Sequence, residues 1–277
     1  MLQGASTVVR NKICRMKSLA SDAGVRIGLC GFTISMQAYG SRFRVVEIQS
    51  TFYEPPSDAR LRGWRQATSP SLEFTMKVWQ LVTHGASSPT YRRMKHPPRL
   101  EDEPGGFRSS STVQAGWRRS VECANVIGAT GMLFQCPATF GPTPENVRAM
   151  RQFFERVQRP NARLLWEPRG RAWVANREMA LAICTDLDLV YVVDPFVTPP
   201  PTGQAVYWRL HGLGGARHSY TDEELRQLYT LLVHANGASP AYVLFNNLPR
   251  VADARRFASV VQANHARDSD FARQSPP

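Results

Sequence analysis

Seven short runs in this chain read as buried strands, and each carries a polar or charged residue at or near its carboxyl end. They are VVEIQSTFY (45–53), FTMKVWQLVTH (74–84), MLFQC (132–136), LLWEPR (164–169), LVYVVDP (189–195), VYWRLHG (206–212) and YVLFNN (242–247). Strands buried on both faces, as in a parallel barrel, should be nearly continuous apolar runs. Glu47, Lys77, Gln135, Glu167, Asp194, His211 and Asn246 break that pattern. An ionised group buried without partners costs on the order of several kcal/mol. These residues are therefore expected to face one another.

Strand signals alternate with helix signals along the chain, the pattern of βα units around a parallel sheet. With residues 25–30 as a first strand there are eight. A chain of 277 residues suits one such barrel, which takes about 250 residues, and is too short for a barrel plus a second full domain. The reading is a single-domain α/β protein with an irregular TIM-type (β/α)8 barrel over 25–263. Ser57, Thr143-Pro144, and Thr221 with Glu224 mark three helix starts. Further helices are expected over about 116–127, 174–184 and 251–262. Residues 80–112 read as a long irregular insert, broken by Pro89, Pro97, Pro98, Pro104 and Gly105-Gly106. The connection 194–204, with Pro199-Pro200-Pro201, is too short and too proline-rich for a barrel helix. Residues 1–24 form a flexible basic leader in this reading, and 264–277 a disordered polar tail.

Composition sets outer bounds. Apolar residues make up 43% and charged residues 20% of the chain, as in a globular protein, and no apolar run approaches the roughly 18 residues of a membrane span. Thirty-four Lys plus Arg against 22 Asp plus Glu give a formal charge of +12, most of it from arginine. That balance favours phosphate-bearing partners, while a solvated basic surface explains it equally well. Cysteines at 14, 30, 123, 136 and 184 form no C-x-x-C pair and no zinc spacing. A reducing, cytoplasmic compartment is the expectation. Residues 1–24 are basic and lack the apolar core of a secretory signal.

The same words carry a resemblance. VEIQSTFY, the stretch from Lys77 to His84, LFQCPATF (133–140), WEPRGRAW (166–173), YVVDP (191–195), RLHG (209–212), YTDEEL (220–225) and FNN (245–247) occur in the order expected of the YecE-like family, also called domain of unknown function 72. The resemblance extends over roughly residues 25–263. It implies a TIM-type barrel and brings no established reaction. One departure is visible. Many relatives open with a GTSGW-like turn where this chain has Gly28-Leu29-Cys30-Gly31-Phe32, so no role of first-loop polar residues carries over.

In barrels of this type the carboxyl ends of the strands hold the site. Glu47, Glu167 and Asp194 are candidate acid/base groups, given environments that push their pKa values apart. Lys77 and Arg209 are candidate electrostatic stabilisers, and His84 and His211 candidate proton shuttles. Tyr53, Gln135, Arg169, Asn246 and Asn247 complete a polar wall for substrate. Several have a structural alternative: a Glu47–Lys77 registry pair, a Glu167–Arg169 ion pair, and strand-end capping by Asn247. A divalent metal suits this donor set without being demanded by any spacing. Cys30 and Cys136 read as buried, inert thiols.

Three functions fit. The first is an enzyme applying acid/base chemistry to a small polar, phosphorylated or sugar-like substrate. The second is a nucleic-acid-binding protein or nuclease that contacts phosphates through the basic leader, Arg92, Arg93, Lys95 and Arg118-Arg119, with the polar set at the strand ends performing or aiding cleavage. The third is a non-catalytic ligand-binding or scaffold barrel.

Overall fold

β-branched, aromatic and aliphatic residues dominate each of the predicted strands, and in the computed structural model, which describes residues 24–235 and 240–274, all eight strands form. They follow one another in chain order in a closed parallel barrel. The chain divides into two compact units, residues 30–192, and the described residues up to Leu29 with those from Val193 onward.

The larger unit opens with α1 (Met36–Gly40) and β2 (Val45–Ile48), which runs into the short helix α2 (Ser50–Tyr53) and then α3 (Asp58–Gln66). There follow β3 (Glu73–Lys77), a 3-10 turn at Pro89–Arg93, α4 (Ser111–Ile127), β4 (Ala129–Gln135), α5 (Pro144–Arg156) and β5 (Arg163–Glu167). The unit closes with α6 (Arg171–Ala175), α7 (Arg177–Asp186) and β6 (Val190–Val193) up to Val192. Register sets Glu47 opposite Thr75, Lys77 opposite Leu133 and Gln135 opposite Glu167. The helix starts read from sequence hold. Ser57 accepts from the Arg60 N–H, and Thr143 accepts from the Asn146 N–H one residue before Pro144. Phe107, Trp117, Phe134, Phe153 and Phe154 pack ring against ring between helices and sheet, with Trp117 stacked on Phe134 at 5.5 Å.

Two helices differ from expectation. α4 begins at Ser111, not near residue 116, because the Ser110 side chain caps Val113 and the Asp102 carboxylate reaches from upstream to the N–H groups of Ser111 and Thr112 at 2.8 and 2.9 Å. The helix expected over 174–184 is two helices, α6 and α7, separated at Asn176, whose φ of −114° and ψ of 39° lie outside the helical region.

The insert 80–112 has no α-helix or strand before α4, yet it is anchored at both ends. Gln80 to His84 are buried, and the Gly105, Gly106 and Phe107 N–H groups donate back to Leu81, Thr83 and Val82. Gly105 has a φ of +80°, and a Cβ there would lie 2.2 Å from the His84 carbonyl carbon. Only glycine closes the insert.

The second unit contains β1 (Val25–Cys30, which begins it up to Leu29), β7 (Tyr207–Leu210), α8 (Asp222–Ala235), β8 (Ala241–Phe245) and α9 (Arg250–Gln274). β8 pairs in parallel with both β1 and β7. No helix lies between Val193 and Tyr207, as the proline run requires. Thr221 and Glu224 exchange the two bonds of a capping box at the start of α8. α9 continues to Gln274, where the sequence reading ended the helix near 262 and expected a frayed tail from 264. Between Arg250 and Gln274 there is no glycine or proline, and a polar composition alone does not stop a helix. The expected leader, apart from Gly24, and residues 275–277 lie outside the described residues.

Candidate active site

In the larger unit the sequence-predicted residues gather along the carboxyl ends of β2 to β5. Glu47 is fully buried in β2, and its Oε1 accepts from Gln49 Nε2 at 2.5 Å. α2 then brings Thr51 over the end of β3, where its Oγ1 donates to the Lys77 carbonyl at 2.7 Å. This bond turns the chain so that Phe52 faces the Lys77 side chain. The Lys77 ammonium, 4% exposed, lies 3.7 Å from the centre of the Phe52 ring and donates to Gln135 Oε1 at 2.5 Å. Gln135 is the β-sheet neighbour of Glu167, whose Oε1 is 3.0 Å from Arg169 Nη2. The ion pair weighed as the structural alternative for Glu167 is therefore present, with Glu167 buried and Arg169 at 37% side-chain exposure.

His84 departs from its expected role. Burial and the nearby Lys77 charge push its pKa down to about 4, so at neutral pH the ring is neutral and far from the range of a proton shuttle. Its Nδ1 shares a hydrogen with Thr83 Oγ1 at 2.8 Å, and its edge packs on Phe52. Tyr53 is held from the insert: Arg93 stacks on its ring at 3.8 Å and donates to its hydroxyl at 2.5 Å. Glu54, next in sequence, accepts from the Lys95 and His96 N–H groups and the His96 ring. These bonds lower its pKa, with the His96 side chain the largest cause. The insert thus borders α2 at the carboxyl end of β2.

Cys136 is fully buried beside Trp166, and burial pushes its thiol up to about 12. Cys30 is likewise buried. At neutral pH the Cys136 thiol is therefore protonated and a poor nucleophile.

The second unit carries its own polar set. Arg209 is a guanidinium buried within β7 at 1% exposure. His211 Nδ1 lies 3.0 Å from Asn246 Nδ2. The amide nitrogen donates in this contact and Nδ1 accepts. Asp194 has both carboxylate oxygens on backbone N–H groups, Oδ1 from Phe196 at 3.1 Å and Oδ2 from His211 at 2.8 Å. That geometry makes it a brace between strand ends, in contrast to the acid/base role expected for it. Asn247 is also structural: fully buried, it donates to the His218 carbonyl at 2.9 Å and to Asp253 Oδ2 at 2.6 Å. Sequence reasoning missed Asp253, a fully buried carboxylate on α9 that also accepts from Ser219 and the Tyr220 N–H and pairs with Arg256. Nothing in the sequence around it marks this helical aspartate as buried.

Among the described residues no group of three or more His, Cys, Asp or Glu side chains gathers to hold a metal ion. No helix among them is long and apolar enough to cross a membrane. Of the arginines read as phosphate contacts, Arg119 is engaged by Asp58, Glu122 and the Pro56 carbonyl, and Arg93 by Tyr53.

The chain is similar in structure to a DUF72 family protein from Enterococcus faecalis V583, with a TM-score of 0.66 and 21% identity over 86% of this chain and 98% of that one. A DUF72 family protein from Thermotoga maritima MSB8 gives 0.61 and 20% over 86% and 99%. An L-ribulose 3-epimerase gives 0.50 and 14% over 91% and 100%, a likeness of fold. No curated protein matches the sequence. A family profile described as "Protein of unknown function DUF72" matches residues 33–276, and the chain belongs to that family.

Proposed function

We propose that this protein is an enzyme applying acid/base chemistry to a small polar, sugar-like or phosphorylated substrate at the carboxyl ends of β2 to β5. One observation carries the reading. Two buried glutamates, Glu47 and Glu167, lie with a buried lysine, Lys77, along the carboxyl ends of β2, β5 and β3, and their contacts include the side chains of Gln49, Arg169 and Gln135. A protein that needed only registry has little reason to bury three ionisable groups at strand ends, since apolar residues of similar volume are often as stabilising. A carboxylate beside a cation suits removal of a proton from carbon next to a carbonyl, with the ammonium stabilising the oxygen that gains charge. In this reading Glu167 is the base, Lys77 the electrostatic stabiliser, and Gln135 and Arg169 binding groups. The buried free thiols support a reducing, cytoplasmic location.

The test is hydrogen exchange. Wild-type protein is incubated in D2O with L-ribulose, D-tagatose and a panel of sugar phosphates, and proton NMR follows the carbon next to the carbonyl. The expected outcome is deuterium incorporation into one member, slowed on the order of 10²-fold or more by Glu167→Gln. Absence of both binding and exchange across the panel, joined to a Glu167→Gln variant that is much less stable, overturns the enzyme reading in favour of a scaffold.

A further inference from the structure

Away from the strand ends, α4 and α5 of the larger unit enclose a cleft of about 690 Å3, within the range of small-molecule sites and far more than a lone inorganic ion fills. Arg108 enters it from the segment before α4, Arg118 from α4 and Arg156 from the last turn of α5, and no acidic residue lines it. Its floor is aromatic, built from Phe107, Trp117 and Phe153, which pack on one another at 5.4 to 5.8 Å. Gln114 and Gln152, both exposed, add amides that donate and accept.

Charge and order distinguish this cleft from an ordinary basic surface. Arg108 is oriented in advance, with Nη1 donating to the Pro104 and Gly105 carbonyls at 3.1 and 3.0 Å. Neither Arg118 nor Arg156 has an ion-pair partner among the described residues, whereas Arg119, one position away, has two. The first N–H groups of α4 are already taken by Asp102, so an anion here would be held by guanidinium groups and not by the helix end. Three arginines on an aromatic floor suit a ligand with an anionic group at one end and an apolar, planar body at the other.

We propose that this cleft is a second binding site, specific for a nucleoside phosphate and independent of the strand-end glutamates. A concave site of this volume takes a mononucleotide in preference to a polymer.

Calorimetric titration of the full chain with ADP, inorganic phosphate and a 20-nucleotide single strand tests it. Expected is saturable ADP binding, with inorganic phosphate weaker by about tenfold or more because it leaves the aromatic floor empty. Arg118→Gln with Arg156→Gln weakens ADP by about tenfold or more, and Gln152→Glu, which sets a carboxylate in the cleft while sparing every arginine, does the same. All three positions are exposed, so melting temperatures stay at the wild-type value. Glu167→Gln leaves ADP binding intact, which separates failure of this site from failure of the strand-end reading. No saturable ADP binding, binding indifferent to these substitutions, or an oligonucleotide that binds more tightly than ADP with steep salt dependence overturns the proposal.

Discussion

Glu167 and Asp194 both end barrel strands and both look, in sequence, like acids placed for chemistry; their oxygens meet different things. Asp194 accepts two backbone N–H groups, at residues 196 and 211, and backbone donors cannot leave without the chain moving. Glu167 is met on Oε1 by the tip of Arg169, a long side chain that is more than one-third exposed. The contrast extends to other buried charged residues, Glu47 and Lys77 of the larger unit and Asp253 of the second. Glu47 and Lys77 are contacted through amide side chains, Gln49 and Gln135, whereas Asp253 is locked by a backbone N–H, a hydroxyl, an amide and a guanidinium. A carboxylate that accepts from main chain, as Asp194 and Asp253 do, is tied to the fold, and one whose ion-pair partner is a part-exposed side chain, as Glu167 has in Arg169, can exchange that partner for a substrate.

The largest expected effect is at Asp253. Asp253→Ala strands one N–H of the buried Asn247 amide and the Tyr220 N–H, while Arg256 keeps Asp222 and the Tyr220 carbonyl, and should lower stability by about 3–5 kcal/mol, read as a shift of the urea midpoint. A loss under about 1 kcal/mol would break the rule that acids accepting from main chain are structural.

His84 comes next and is read by pH. Its folded pKa of about 4 lies below the ordinary 6.5. Between those values the unfolded chain binds a proton that the folded chain does not, so acid draws the protein towards unfolding. The loss starts as pH falls through about 6.5, levels off below about 4, and amounts to roughly 3 kcal/mol. Replacing the titrating ring in His84→Gln should remove that portion of the acid sensitivity. Equal pH dependence of wild type and variant would show that the ring titrates in its ordinary range and restore the shuttle role.

Asp194→Asn should cost about 1–3 kcal/mol, since the neutral amide keeps one acceptor and turns a donor towards an N–H. The loop between β6 and β7 should then exchange its amide hydrogens faster, at Val197 and Thr198 first, whose N–H groups bond the Asp194 carbonyl. Unchanged exchange there would separate the carboxylate from the turn.

Much of the frame was legible because it is local. Ser57, Thr143 and Thr221 cap helices through atoms three residues away, and strand runs announce themselves by composition. What stayed hidden is non-local. The start of α4 depends on Asp102, nine residues upstream of Ser111, and the seam at Asn176 on backbone angles that no residue type there dictates. At the site, sequence identified which strand ends are polar and could not rank them. Glu167 and Asp194 differ in what their oxygens touch, and Asn246 and Asn247, adjacent in sequence, point to a histidine ring and to a buried aspartate. Arg118 and Arg119 likewise part company, one lining a cleft and the other neutralised by two acids.

The smallest stability change is predicted for the residue expected to matter most for chemistry. Glu167→Gln keeps shape and one acceptor, and Arg169, already one-third exposed, recovers water when the ion pair is lost. The substitution also relieves a buried carboxylate of its desolvation, so the net change should stay within about 1 kcal/mol of zero and can fall on the stabilising side. Proton exchange into substrate should nevertheless drop by about 10²-fold or more, because an amide cannot accept the proton, while binding of the same substrate is retained. Loss of binding with exchange would move Glu167 from base to binding group. A stability loss of about 3–5 kcal/mol with nothing bound by wild type would place Glu167 beside Asp253 as a structural acid, and the difference between the two kinds of carboxylate would no longer follow from what their oxygens meet.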